Sequence, residues 1–185
     1  MENKKALIIL AEGFEEVEAV TAIDLLRRSG VEVTVAGLDA ENVKGSHGII
    51  IKADTALKKY KAVPNALILP GGSRGAERLA NSREVKELIL KMDSEGRLIA
   101  AICAAPAIVL APAGVLSGKE ATCFPGMEEN FSPDIKFKKE KVVQDGNVIT
   151  SRGPATSFDF SVLIAENLVG RETADQAARN MLFEI

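Results

Sequence analysis

Two rhythms alternate along the chain: short apolar runs, and longer stretches in which apolar residues recur every three or four positions. "KALIIL" (5–10) is almost continuously apolar, as expected for a strand covered on both faces. "AEGFEEVEAVTAIDLLRRSG" (11–30) has helical spacing, with carboxylates early and Arg27 and Arg28 late. That order suits the helix dipole, and Gly30 is a natural stop. "VEVTVAG" (31–37) alternates as a strand, "HGIIIK" (47–52) is a short strand, and "ALILPGG" (66–72) is a buried strand ending at a glycine turn. A helix is predicted over 83–94, a strand at "RLIAAI" (97–102), a helix starting at 104–112 and a strand at "EATCF" (120–124). Residues 133–151 read as strands broken at Asp145-Gly146, a good hairpin turn. Thr156-Ser157-Phe158-Asp159 has capping-box-like spacing and opens a helix to about 168; the terminal helix covers about 171–182.

Strand–helix alternation at this spacing implies an open, mostly parallel sheet with helices on both sides. Sites in such sheets lie beyond the C-terminal strand ends. The segments to inspect are therefore "AEGFEE", "PGGSRG", "ICAAP" and "SRGPAT".

Composition narrows the chemistry. The chain has 185 residues, 46% of them hydrophobic, enough for one domain (1–185) with a full core. The formal net charge is −3, and the densest basic run, "KFKKEK" (136–141), reads as a solvated edge. With no Trp and one Tyr, Tyr60, base stacking is not available either, so no specific nucleic-acid partner is expected. No apolar stretch approaches a membrane span, and "MENKK" is no signal peptide. Two cysteines make no disulfide framework, and one His without a Cys-x-x-Cys makes no zinc site. A reduced, cytoplasmic setting is expected, with no metal.

Cys103 stands in "LIAAICAAPAIVL" (98–110), between a strand and a helix with Pro106 in its first turn. Ala101, Ala104 and Ala105 are small enough for a sharp corner, in the manner of a nucleophile elbow. The helix end beside the sulfur favours thiolate. A buried, inert core cysteine is the competing reading. Cys123 lies within the strand 120–124 and reads as structural. The only histidine, His47, precedes a different strand, and the pattern does not bring it to Cys103 within one subunit; it reads as exposed or at an interface. Carboxylates are better supplied, by Glu15, Glu16 and Glu18 in a helix's first turn. Glu16 and Glu18 both have apolar neighbours at helical spacing, and either, half-buried, could hold a proton at neutral pH. The glycines of "LPGGSRGAERL" leave backbone N–H groups free to face an oxyanion. They lack G-x-G-x-x-G spacing, and the glutamates after the first strand would repel phosphate, which excludes FMN.

These motifs in this order, "KALIILAEGFEEVEAVTAIDLLRRSGVEVTVAG", "LPGG", "AAICAAP" and "TSRGPATSFDF", resemble the ThiJ/PfpI superfamily over nearly the whole chain, in its deglycase branch. The resemblance implies a flavodoxin-like (class I glutamine amidotransferase-like) three-layer sandwich and a homodimer. It implies Cys103 as the nucleophile and Glu18, rather than Glu16, as its protonated partner. Gly71, Gly72 and Ala104 would line the site with backbone, and Phe124 and Pro154 would form its wall. Implied substrates are methylglyoxal, glyoxal or their adducts on protein or nucleotide, handled without a cofactor. The alternative is an oxidative-stress sensor and chaperone for unfolded clients, with Cys103 as sulfinate. Two departures matter. Protease-like members carry His after the cysteine, where this chain has Ala104, so a peptidase is rejected. Deglycase-like members carry His where this chain has Phe124, which argues against strong glyoxalase turnover. Where relatives carry an Arg near the dimer seam stands His47, expected either to approach the partner's Cys103 or to pack at the interface. A thiazole-phosphate role finds no phosphate site. Strand alternation turns Cys123 away from the side Phe124 faces, so no Cys103–Cys123 disulfide is expected.

Overall fold

The computed structural model describes residues 4–184. Strand β1 (Lys5–Leu10) leads through a loop into helix α1 (Glu16–Arg28), and β2 (Glu32–Gly37) returns beside β1 in parallel. Two short strands, β3 (Asn42–Lys44) and β4 (Ile50–Lys52), form an antiparallel ribbon, followed by β5 (Thr55–Ala56). Next come β6 (Ala66–Leu69), α2 (Ser73–Ala80), α3 (Arg83–Ser94) and β7 (Leu98–Ile102). Pro106–Leu110 winds as a π-helical turn into the short α4 (Ala111–Ala113). Strands β8 (Glu120–Ala121) and β9 (Lys136–Phe137) pair in parallel, and β10 (Val142–Asp145) and β11 (Val148–Ser151) make a hairpin. Helices α5 (Ser157–Val169) and α6 (Arg171–Asn180) close the chain.

The main sheet runs β10-β11-β7-β6-β1-β2-β5, parallel except for β10. Helices α1, α5 and α6 pack together, as do α2, α3 and the turn after β7, giving the expected α/β sandwich. β1, β6 and β7 are covered on both faces, which is why their runs are apolar without alternation: Leu7–Leu10, Leu67–Leu69 and Ile99–Ile102 are at most 1% exposed. From β1 the chain first adds β2 on one side and then crosses to β6 on the other. The strand order therefore reverses at β1/β6, and a crevice opens beyond their C-terminal ends.

Several sequence expectations are refined. Helix α2 lies where only a glycine loop was expected; it begins directly after Gly72, whose φ of +82° sets the turn. The predicted strand 120–124 pairs only at Glu120–Ala121, so Cys123 lies beyond it. The expected opposition of sides nevertheless holds, with Cys123 fully buried and Phe124 exposed. The hairpin loop is Gly146-Asn147, one residue later than expected, because the positive φ falls on Gly146. The capping box at Thr156 does not form. Its hydroxyl is taken up by Ser151 Oγ at 2.6 Å and by the Gly153 amide at 3.1 Å, and α5 starts instead from a short 3-10 turn at Pro154–Thr156.

Candidate active site

Three strand ends converge on the crevice. After β7, Cys103 takes φ +63°, and among the described residues only Leu182 shares a positive φ without being glycine. A side chain in this left-handed region is strained. The corner is pinned on both sides: Cys103 N–H donates to the Ser151 carbonyl at 2.9 Å, and Phe124 N–H donates to the Cys103 carbonyl at 2.8 Å. Ala104 and Ala105 are buried and give the corner room to turn.

After β6, Gly71 lies against this corner. A Cβ there would sit 2.5 Å from Cys103 Cβ and 2.9 Å from Glu18 Oε2, so no other residue fits. Gly72 likewise packs against the Gly13 carbonyl. After β1, helix α1 starts at Glu16 and carries Glu18 inward, where it is 1% exposed. Gly71 N–H donates to Glu18 Oε2 at 2.7 Å, and the carboxyl lies close enough to the Cys103 side chain for each group to shift the other's titration. Glu18 Oε1 is buried without a hydrogen-bond partner.

Electrostatics couple the two acids. Burial pushes the Glu18 carboxyl up to about 7, against the opposing bonds from Gly71 and Cys103. Burial, and then the negative charge of an ionised Glu18, push the Cys103 thiol up to about 12; the Gly72 and Ala104 amides act the other way. Once Glu18 is protonated its charge no longer opposes thiolate, and its O–H can donate to the sulfur. The pair therefore holds one negative charge between two groups. Ionisation of Cys103 is tied to protonation of Glu18.

Glu16 behaves in the opposite way. Burial alone would raise it, but hydrogen bonds from its own amide, from the His47 ring and amide, and from Ser46 outweigh this and hold it at about 2. It organises the segment before β4: His47 N–H donates to Oε1 at 2.8 Å, and His47 Nδ1 lies 3.0 Å from Oε2. Gly45 lacks a side chain because the Glu16 carboxylate occupies that space. The His47 pKa is raised, first by the bond to Glu16 and then by the charges of Glu15 and Glu16.

Cys103 opens into a cleft of about 610 Å³. Its lining is apolar at Ala104, Phe124, Met127 and Pro154 and charged or polar at Glu12, Glu15, Lys44, His47 and Arg74. The structure thus joins Cys103, Glu18, Gly71, Gly72 and Ala104, with Phe124 and Pro154 as wall. It also brings His47 to the cleft of its own subunit, which the sequence did not anticipate. Lys44, Arg74 and Met127 were missed as well; Glu16 was weighed as an alternative to Glu18, but its hold on the His47 segment was not foreseen. Glu15, Glu16 and His47 bring ligand-type atoms within 4.8 Å of one another, but Glu16 Oε2 and His47 Nδ1 are already engaged with each other at 3.0 Å. Cys123 is buried, and both cysteines are free.

Comparison with known proteins agrees with this architecture. The family model described as the DJ-1/PfpI family matches residues 4–167. The chain belongs to the DJ-1/PfpI family. Protein dj-1beta of Drosophila melanogaster is 45% identical over 183 residues, covering 97% of each chain. The crystal structure of Drosophila DJ-1beta superposes with a TM-score of 0.94 at 43% identity, covering all of both chains. The DJ-1/PfpI relative named glutathione-independent glyoxalase DJR-1.2, from Caenorhabditis elegans, is 38% identical over 173 residues, covering 92% of this chain and 91% of its own. Oxidised DJ-1 of Toxoplasma gondii superposes with a TM-score of 0.92 at 35% identity, covering 98% and 100% of the two chains.

Proposed function

We propose that this DJ-1/PfpI protein converts 2-oxoaldehydes such as methylglyoxal to 2-hydroxy acids, and acts on glyoxal and on their adducts with protein or nucleotide, through Cys103 and Glu18. The observation that carries this reading is a strained cysteine at a strand–helix corner, beside a buried acid whose pKa is raised to about 7, and open to a cleft. The relative named as a glyoxalase supports the reaction class. The Cys103 proton passes to Glu18, and the sulfur adds to the aldehyde carbon. The alkoxide formed faces the amides of Gly72 and Ala104 and takes up a proton, giving a hemithioacetal. Transfer of hydrogen from that carbon to the neighbouring carbonyl carbon gives a thioester. Water then releases the hydroxy acid and the thiol. The aldehyde carbon is oxidised and its neighbour reduced, so the chemistry uses water and no cofactor.

Assembly and setting belong to the same proposal. Val17 and Val20 on α1 and Ile49 and Ile50 at β4 are large exposed apolar residues, as a homodimer seam would require. No helix among the described residues is long and apolar enough to cross a membrane, and two free cysteines suit a reducing, cytoplasmic compartment.

A second reading has its own support. Phe124 brings no proton carrier to the wall, and a solved relative is described as oxidised. On that reading Cys103 is oxidised to sulfinate beside Glu18, and the protein reports oxidative stress with little turnover.

Lactate formation from methylglyoxal separates the two. Purified protein, free of other glyoxalases, is compared with Cys103→Ser and Glu18→Gln. Turnover lost in both variants supports the enzyme; equal turnover in all three overturns it. No turnover, with Cys103 gaining two oxygens in mild peroxide, supports the sensor.

A further inference from the structure

The hydrogen transfer between neighbouring carbons needs a proton carrier that reaches a substrate already bound to Cys103. Glu18 is 1% exposed, accepts from the Gly71 amide, and does not line the cleft. Of the side chains that do, imidazole is the type whose ordinary pKa lies near neutrality, and His47 supplies it. Its tautomer is fixed by the fold. Glu16 is ionised and can only accept, so the proton between them sits on Nδ1; once the ring's second proton has left, a step that the raised pKa of His47 moves to higher pH, Nε2 has a free lone pair. The segment is held by Glu16 through the His47 and Ile49 amides, at 2.8 and 3.3 Å, and by Ser46 Oγ at 3.1 Å. The ring itself is 70% exposed. The arrangement is a carboxylate–imidazole dyad on the wall of a cleft that also contains the sulfur.

We propose that His47, oriented by Glu16, is a second acid–base group of the site and carries hydrogen between the two substrate carbons. This rests on the reading of Cys103 as nucleophile. Nε2 takes the proton from the hemithioacetal carbon, and the electrons of that C–H bond form the double bond of an enediol as the neighbouring carbonyl oxygen takes a proton from solvent water, which recovers one when the enediol's other hydroxyl ionises. The enediol then collapses: the hydroxyl on the sulfur-bearing carbon loses its proton and becomes the thioester carbonyl, while Nε2 returns its proton to the second carbon. Hydrolysis of the thioester follows without His47. The groups facing the ring are the Glu15 and Glu16 carboxylates, at 3.5 and 3.0 Å, with Glu12, Lys44 and Arg74 elsewhere along the cleft.

The test measures lactate from methylglyoxal for the full chain, Cys103→Ser and His47→Ala, with and without added imidazole. We expect His47→Ala to lose about 100-fold in kcat with KM changed by less than about threefold, the range of a lost general acid–base group. Imidazole restores part of that loss, while alkylation of Cys103 by iodoacetamide proceeds as in the parent. A kcat within about threefold of the parent, or a loss that imidazole does not restore, overturns the proposal. If Cys103-dependent lactate forms and His47→Ala is unimpaired, only this inference fails. If the parent makes no Cys103-dependent lactate, the reading of the site fails and takes the inference with it.

Discussion

Gly71 N–H donates to Glu18 Oε2 at 2.7 Å, and the absent side chain of the same glycine leaves the space in which Glu18 and Cys103 meet. One residue thus supplies a hydrogen bond and a gap. Gly71→Ala would place a carbon within 2.5 Å of Cys103 Cβ. We expect a loss of about 1–3 kcal/mol, as for overpacked cores, together with altered Cys103 alkylation. Urea unfolding and iodoacetamide kinetics on one preparation measure both; an unchanged midpoint and rate would contradict the packing.

Glu18 should weaken the fold at alkaline pH. Its folded value of about 7 lies above the ordinary 4.5, so the folded state binds the proton more tightly than the unfolded chain. Stability is then full below about pH 4.5 and declines as pH rises through about 7. Glu18→Gln keeps an acceptor for Gly71 and removes the buried charge. It should stabilise the protein at pH 8 relative to pH 5 by about 2–3 kcal/mol, read from urea midpoints at the two values. A gain of equal size at both would contradict the titration.

Glu16 predicts the reverse slope. Held at about 2 against an ordinary 4.5, it contributes stability that is present above about pH 4.5 and lost as pH falls toward 2. Glu16→Gln should be less stable than the parent at pH 7 and converge with it near pH 2, a comparison that acid titration of the unfolding midpoint provides.

Backbone strain at Cys103 gives an independent check. At φ +63° glycine is favoured over alanine, so Cys103→Gly should be more stable than Cys103→Ala by about 1 kcal/mol. That order is the reverse of a helix interior. Equal stability would mean that the corner relaxes.

How much of this was legible in the sequence follows from which interactions are local. The strands expected at 5–10, 66–72 and 97–102 and the helix expected at 83–94 depend on periodicity and caps, and the structure has them at Lys5–Leu10, Ala66–Leu69, Leu98–Ile102 and Arg83–Ser94. Cys103 was marked by its strand-end position among alanines. The choice of Glu18 over Glu16 was not readable from spacing, because both are buried and both have apolar neighbours. What separates them is the partner each meets: Gly71 and Cys103 for one, the His47 segment for the other. Those partners lie 53 and 31 residues away, so only the assembled crevice discriminates. His47 stayed apart from the site for the same reason. Thr156 failed as a cap because Ser151 and Gly153, neighbours created by the turn after β11, compete for its hydroxyl.

The account rests on one charge being shared between Cys103 and Glu18, and the pH dependence of Cys103 alkylation measures this directly. In the parent protein the rate should rise as the first proton leaves the pair, level off below the full thiolate rate, and rise again only at strongly alkaline pH. Glu18→Gln should collapse this to one step with a higher plateau. If both proteins instead follow one curve with the ordinary thiol midpoint of 9.0, the two groups do not share a charge and the site is not the one described.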